Sequence, residues 1–520
     1  MTKASEKDPR SAPAHPVDTL NNVAEYHVEN FGCRASRADG EAIAANLRHG
    51  GLAPADHAAT ANIVIVNTCS VTAEADRQAR AYLRRVRRQN PHVRIIVTGC
   101  YAQRAPHELA ALPEVDAVVG NSHKAKVAEL ALQLAAQTDN TSVIPTEARR
   151  PRAAEEPAFL PLASIIPTIL HDDTFAHTEL ATLPFAPDAR QTRPNLKVQD
   201  GCGNRCSFCI IPTTRGRSRS VPLSTCLDDI HRFIDNDGKE LVLSGINLGR
   251  WGRDLQPAQR FEDLIAAILT QTALPRLRLS SIEPMDWSAD LLALYREFAT
   301  DKHEARVPYF PDAGTGFPNA ELRPATCDLS PRLCRHTHLP LQSGSDTILR
   351  RMHRRYRPWH YAEKLASIRA LLPDAAIGAD VMIGFPGETD ALFQESLDFI
   401  AEQPFTYLHL FPFSARPGTP AWELHRQNPL PARAVHDRMA ALRELIAEKS
   451  RAFRTRFIGR TLSAVTIDDD ANDLSSAPAT EAVTDNFLKL TLDSPLPANR
   501  LVPARITALW DDGLRGTPVA

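Results

Sequence analysis

Three cysteines crowd into one loop: Cys202, Cys206 and Cys209, in the run Gly201-Cys202-Gly203-Asn204-Arg205-Cys206-Ser207-Phe208-Cys209. Three thiolates at C-x3-C-x2-C spacing can hold a four-iron, four-sulfur cluster and leave one iron without a protein ligand. Such an iron can bind a small molecule and pass it an electron. A zinc ion usually takes four ligands, often in paired C-x2-C halves, and no fourth ligand adjoins this run. Gly201, Gly203 and Asn204 also make a tight loop, a poor setting for merely structural, buried thiols.

Three further thiols are scattered, but their settings agree. Cys33 follows a strand pattern from Glu25 to Phe31, Cys69 follows Val66-Asn67-Thr68, and Cys100 follows Ile95-Ile96-Val97-Thr98-Gly99. In a parallel sheet these are all strand C-terminal ends, the edge where open α/β sheets bind ligands. The expectation is a second cluster on Cys33, Cys69 and Cys100; the alternative is three unrelated, partly buried cysteines. Later strand ends are polar and Gly-rich: Ser244-Gly245-Ile246-Asn247, Glu283 in Ser280-Ser281-Ile282-Glu283-Pro284, Gln342-Ser343-Gly344-Ser345 and Gly384-Phe385-Pro386-Gly387-Glu388. In a β/α barrel such ends form the active face, and a zwitterionic ligand there needs both acceptors and donors. Each glycine taken singly is an ordinary turn.

The elements that must position these groups read as an α/β chain. Its 520 residues exceed one ordinary core, and 43% hydrophobic with 23% charged residues is a globular composition. A lead, 1–22, is polar, Pro-containing and expected to be disordered. Strand–helix alternation over 23–138 predicts a parallel α/β domain. An aperiodic stretch, 139–194, reads as a linker. Six strand patterns over 195–430 predict an open β/α barrel, with an insertion at 300–330 rich in proline. A connecting helix, 431–458, precedes an all-β segment, 459–520, read as a small barrel.

Nine cysteines, an odd and dispersed set, argue against a disulfide scaffold. No apolar run approaches a membrane span, and the N-terminus lacks the apolar core of a signal peptide. The chain is expected to be cytoplasmic, without a membrane partner. Its net charge of −2 means that any nucleic-acid contact must come from a local patch. The helix from Glu74 supplies one candidate: Arg77, Arg80, Arg84 and Arg88 lie opposite the apolar stripe of Ala79, Tyr82, Leu83 and Val86. Such a face suits phosphate, or is simply solvated. The terminal barrel offers Phe487, Lys489, Arg500 and Arg505 as further candidate RNA contacts, or as core and surface residues of an ordinary barrel.

Together these motifs resemble the radical S-adenosylmethionine methylthiotransferases. The resemblance rests on Asn195 through Cys202, Cys209-Ile210-Ile211-Pro212, Leu243-Ser244-Gly245-Ile246-Asn247-Leu248-Gly249, Arg278 through Pro284, His338 through Gly344, and Phe411-Pro412-Phe413-Ser414-Ala415-Arg416-Pro417-Gly418-Thr419. It spans Tyr26 to Trp510, and the last segment resembles the family's RNA-binding TRAM domain. The versions here look most like the branch acting on threonylcarbamoyl-adenosine beside the tRNA anticodon; relatives act on isopentenyl-adenosine or on an aspartate of a ribosomal protein.

The resemblance implies two [4Fe-4S] clusters. The one on Cys202, Cys206 and Cys209 would bind S-adenosylmethionine, with Gly245, Asn247, Glu283 and Gln342 as cofactor contacts. The one on Cys33, Cys69 and Cys100 would supply sulfur for insertion at C2 of the adenine, followed by S-methylation. The partners implied are tRNA, an electron donor and a sulfur donor. One departure concerns the first-cysteine motif, which usually has Asn three residues after the Cys. Here Ser36 stands there, a shorter side chain with fewer hydrogen bonds.

Overall fold

β-branched runs dictate the first sheet. In Ile63-Val64-Ile65-Val66 all four side chains are buried, Ile63 and Ile65 against one layer and Val64 and Val66 against the other, as the two-residue period of a strand requires. In the computed structural model, which describes residues 23–139, 167–177, 185, 191–299, 331–467 and 479–519, this run belongs to a six-stranded parallel sheet. Its strands are β1 (Glu25–Asn30), β2 (Ala53–Pro54), β3 (Ile63–Thr68), β4 (Arg94–Gly99), β5 (Ala117–Gly120) and β6 (Thr168–Leu170), in the order β2-β1-β3-β4-β5-β6. Helices α1 (Arg34–His49) and α5 (Val127–Asp139) cover one face, and α2 (Ala73–Gln89) covers the other; short α3 (Cys100–Arg104) and α4 (Pro106–Ala110) follow β4. Strand β6 lies inside the stretch expected to be a linker: its three residues pair with β5 in parallel register.

The middle of the chain holds six parallel strands in sequence order, β7 (Asn195–Asp200), β9 (Glu240–Gly245), β10 (Arg276–Leu279), β11 (His336–His338), β12 (Ala376–Ile383) and β13 (Tyr407–Pro412). A bridge from Leu277 to Leu333 joins the halves, and the two-residue β8 (Arg219–Ser220) pairs antiparallel on β7. Helices α6 (Ile211–Arg215), α7 (Leu223–Asp235), α8 (Phe261–Gln271), α9 (Ala289–Phe298), α10 (Asp346–Arg351), α11 (Pro358–Leu371) and α12 (Asp390–Glu402) connect them. The arc is open, and α1 of the first sheet packs against β7 at its start. After α13 (Pro420–Gln427), the 24-residue α14 (Ala432–Thr455) leads to a closed barrel. Its strands are β14 (Thr461–Thr466), β15 (Thr480–Thr484), β16 (Lys489–Leu492), β17 (Leu501–Trp510) and β18 (Gly513–Pro518), in the order β14-β15-β16-β18-β17. The sequence pattern shows only three of these strands.

A buried ionic seam joins the terminal barrel to the open arc. Arg278 Nε donates to Glu240 Oε1 at 2.7 Å, while its Nη2 and Nη1 donate to the carbonyls of Thr484 and Asp485 at 2.9 and 3.2 Å. Arg335 Nε donates to Asp485 Oδ2 at 2.6 Å. Burial would raise the Glu240 carboxyl, but Arg278 and Arg193 hold it down to about 2. Phe487 sits in this seam, with its ring 4.4 Å from that of His336 and 5.6 Å from that of Tyr407. It is partly buried against this seam.

The insertion at 300–330, the lead at 1–22 and Cys327 lie outside the described residues. Among the described residues, no helix is long and apolar enough to cross a membrane.

Candidate active site

The loop after β7 carries Cys202, Cys206 and Cys209. Gly201, at φ +75°, turns the chain where any Cβ would lie 2.0 Å from the Arg217 carbonyl oxygen, so only glycine fits. Asn204 N and Asn247 Nδ2 donate to Cys202 Sγ at 3.4 and 3.5 Å, and Arg354 Nη1 donates to Cys206 Sγ at 3.4 Å. Arg354 also pairs with Glu283. Burial would lower Arg354, but Tyr356, Glu283 and Cys206 hold it well above its ordinary value.

The other trio is assembled by the sheet. Cys69 follows β3 directly, Cys100 opens α3 after β4, and Cys33 caps α1. Gly32, at φ +110°, lets the Cys33 loop fold over Cys69: a Cβ there would stand 2.7 Å from Cys69 Cβ and 2.9 Å from its sulfur. Val71 N donates to Cys69 Sγ at 3.5 Å and Asn121 Nδ2 donates to Cys100 Sγ at 3.6 Å. Burial, reinforced by Cys100, pushes the Cys69 thiol up to about 12, and burial does the same to Cys209. Thiols so buried become thiolates only with a compensating positive charge, as a bound metal supplies.

Neither trio is drawn together tightly enough for a single tetrahedral ion. A tetrahedral zinc with Zn–S of about 2.3 Å draws thiolates to about 3.8 Å from one another. Among the described residues, the three-ligand group closing to within 4.8 Å is His338, Asp380 and His409, and neither cysteine trio is so tight. None of the eight described cysteines is in a disulfide.

Cys33 and the loop cysteines Cys202, Cys206 and Cys209 line one cavity of about 610 Å³. Of the cofactor contacts expected from the sequence, Gly245, Glu283 and Gln342 line it. Asn247 stands beside it through Cys202. Asn247 Oδ1 and Gln342 Oε1 are buried without a hydrogen-bond partner, the state of acceptors awaiting an ammonium or hydroxyl. Burial raises Glu283 against the pull of Arg354. The fourth Gly-rich end turns away. Gly384 N donates to Glu388 Oε2 at 2.9 Å, and Arg438 Nη1 donates to the same oxygen at 2.7 Å, tying that turn to α14.

Sequence reasoning missed the charges behind the dispersed trio. Asp39 accepts from Lys124 at 2.6 Å, from Arg215 at 3.1 Å and from Lys197; Arg215 Nη1 donates to Asp200 Oδ1 at 2.8 Å. Burial alone would raise both carboxyls, yet these cations hold Asp39 and Asp200 below their ordinary range. Arg215, 1% exposed, also donates to the Ser36 hydroxyl at 3.2 Å, and that hydroxyl lies 3.7 Å from Cys33 Sγ. Ser36 thus links the ion cluster to a thiol, which gives the departure at this position a structural role. Asp380 faces the cavity too, accepting from His338 at 3.2 Å and His409 at 3.3 Å.

The expected RNA face of α2 is partly committed. Arg77 pairs with Glu74 at 2.5 Å, and Arg80 bonds Tyr101 and Glu108 at 2.5 and 3.1 Å. Arg84 and Arg88 are exposed. Lys489 pairs with Asp512 at 2.7 Å on the surface.

Residues 25–120 match a family profile described as "Uncharacterized protein family UPF0004". Over 436 residues, the chain is 30% identical to the threonylcarbamoyladenosine tRNA methylthiotransferase MtaB of Thermotoga maritima, covering 83% of this chain and 84% of that one. The chain belongs to the tRNA methylthiotransferases. Another methylthiotransferase, MtaB of Bacillus subtilis, is 29% identical over 90% of each chain. The tRNA-2-methylthio-N(6)-dimethylallyladenosine synthase of Acidothermus cellulolyticus is 31% identical over 85% of this chain and 77% of that one. Among solved structures, the radical S-adenosylmethionine methyltransferase TsrM of Kitasatospora setae shares the fold. Its TM-score is 0.51, at 14% identity over 78% of this chain and 76% of that one. As a methylthiotransferase, the chain is an enzyme, and it shares its fold with a radical S-adenosylmethionine methyltransferase.

Proposed function

We propose that this enzyme inserts sulfur at C2 of threonylcarbamoyl-adenosine next to the anticodon of a tRNA and methylates that sulfur. The observation that carries the reading is the shared cavity: Cys33 of one trio and Cys202, Cys206 and Cys209 of the other open onto the same space. Cys202, Cys206 and Cys209 would hold the cluster that engages S-adenosylmethionine; Cys33, Cys69 and Cys100 would hold a second cluster. The bound groups supply the one-electron chemistry and the sulfur that no side chain can.

The chain's own residues bind, orient and insulate. Arg354 and Asn247 hold Cys206 and Cys202 by N–H···S bonds, which fixes the loop against the barrel. Orphan acceptors on Asn247 and Gln342 suit the ammonium or ribose hydroxyls of S-adenosylmethionine. Phe208, Ile211 and Ile246 give the cavity an apolar lining that keeps water from reactive species. Similarity to the MtaB enzymes supports threonylcarbamoyl-adenosine. The 31% identity to a dimethylallyladenosine synthase keeps isopentenyl-adenosine as the second reading, and a ribosomal-protein aspartate was the third expectation from sequence.

The test is anaerobic reconstitution with iron, sulfide, reductant and S-adenosylmethionine, followed by incubation with tRNA lacking methylthio groups. Mass spectrometry of the digested tRNA should show the methylthio derivative of threonylcarbamoyl-adenosine. Modification of isopentenyl-adenosine instead would move the assignment to the second reading.

A further inference from the structure

The active-site cavity shares one stretch of wall, Gly32, Cys33 and Arg34, with a second cavity of about 800 Å³. Arg34 is the first residue of α1, directly after a thiol of the dispersed trio. Its guanidinium makes no ion pair and no side-chain hydrogen bond among the described residues. The acids around it are committed elsewhere. Asp380 accepts from His338 and His409, Glu240 from Arg193 and Arg278, and Glu41 from Gln191. Arg34 is partly buried and lines both cavities. An arginine does not give up its proton in a protein, and a guanidinium in a cavity wall with no ion pair of its own gains from an added counter-charge. The site is therefore built to receive an anion from outside.

Which anion follows from the reading above, on which this step rests. A base presenting C2 between the two trios has N6 close by, on the same edge of the ring. A threonylcarbamoyl group on N6 ends in a carboxylate; a dimethylallyl group carries no charge. The planar guanidinium fork matches a carboxylate in two parallel hydrogen bonds. We propose that Arg34 is a specificity-determining residue that binds the carboxylate of the threonylcarbamoyl substituent. A backbone phosphate of the same RNA shares the chemistry, and the test separates the two.

The full-length, cluster-loaded protein is assayed on two anticodon stem-loop RNAs, one with threonylcarbamoyl-adenosine and one with its carboxamide analogue. Wild type, Arg34→Gln and Arg34→Lys are compared by kcat/KM, by RNA binding and by iron per chain. The expected result is a wild-type preference for the acid on the order of 30-fold, the scale of one charge-assisted pair. Arg34→Gln should erase that preference through KM, and Arg34→Lys should keep part of it, all at equal iron content. Equal losses on both RNAs in Arg34→Gln would assign the residue to a phosphate or to structure and overturn the proposal. So would a wild type that modifies the acid without preferring it, although the substrate assignment would then stand. A wild type inactive on both RNAs would overturn the substrate assignment and this proposal together.

Discussion

The two thiol trios solve the same problem with opposite kinds of chain. Cys202, Cys206 and Cys209 come from one loop, where three sulfurs are delivered by eight consecutive residues and steadied by individual N–H donors from Asn204, Asn247 and Arg354. Cys33, Cys69 and Cys100 come from three strand ends, and their convergence depends on the register of β1, β3 and β4. Behind them stands a buried ion cluster that spans both sheets: Asp39 and Lys124 from the first, Lys197, Asp200 and Arg215 from the second. The lesson is that a local site tolerates loss of its surroundings, whereas a site assembled from distant strands is only as stable as the contacts that fix the sheets together.

The largest expected effect is selective loss of a cluster. Reconstituted wild type should carry about eight irons, and Cys202→Ala should carry about four and form no 5'-deoxyadenosine. Cys100→Ala should also lose about four irons but still cleave S-adenosylmethionine while making no methylthio product. Identical losses from both variants would erase the distinction between the trios.

Next in size is Arg215→Met. It takes one of three cations from Asp39 and one of two from Asp200, and breaking a buried pair costs up to about 3–5 kcal/mol. A fall in thermal midpoint should accompany loss of the dispersed trio's iron while 5'-deoxyadenosine formation survives. If the iron held by Cys202, Cys206 and Cys209 falls equally, the ion cluster serves both sites and the contrast is wrong.

Acid should act in the same direction, more weakly. The folded-state pKa values of Asp39 and Asp200 are depressed, so the folded state binds these protons less readily than the unfolded chain. Their contribution to stability is complete above the unfolded value of about 3.9 and is lost as pH falls below it. Hydrogen exchange, corrected for the intrinsic rate at each pH, should show α1 and α6 opening below about pH 4 before the barrel helices α8 and α9. Uniform opening would count against the idea.

The smallest effect concerns the RNA face on the dispersed-trio side. Arg84→Glu with Arg88→Glu should weaken tRNA binding roughly tenfold and lower the salt slope by about 2. Arg77→Glu should do less, because Glu74 already occupies that guanidinium. Filter binding at several salt concentrations measures both.

The contrast also explains what could be read from the sequence. The loop trio was legible because all its information is local. Cys33, Cys69 and Cys100 could be set on one edge because each follows a strand pattern, two of them β-branched, and parallel strands present their C-terminal ends on one edge. The ion cluster was not: Asp39 meets Lys124 across 85 positions and Arg215 across 176, and no periodicity encodes such pairings. Arg354 reaches Cys206 across 148 positions for the same reason. Strand β6 was hidden in a Pro- and Thr-rich stretch, where tertiary pairing overrides weak propensity. Strand β18, Gly-Leu-Arg-Gly-Thr-Pro, holds two glycines and a proline, residues depleted in strands. The arginine face of α2 reads as uniformly basic in sequence, because Glu108, which engages Arg80, lies 28 residues away.

The seam between the open arc and the terminal barrel has a consequence for how such proteins can be rearranged. Arg278, at the heart of β10, bonds the carbonyls of Thr484 and Asp485, and Arg335 bonds the Asp485 carboxylate. The terminal barrel therefore supplies hydrogen-bond acceptors to the arginines of the open arc. It is not a cassette to be clipped off or exchanged among cousins: a chain ending near Gly459 would take the Thr484 and Asp485 acceptors away from Arg278 and Arg335. The loss of activity that followed would testify to a broken wall as much as to a missing grip on RNA. A substitution at Asp485 alone would take this carboxylate away from Arg335.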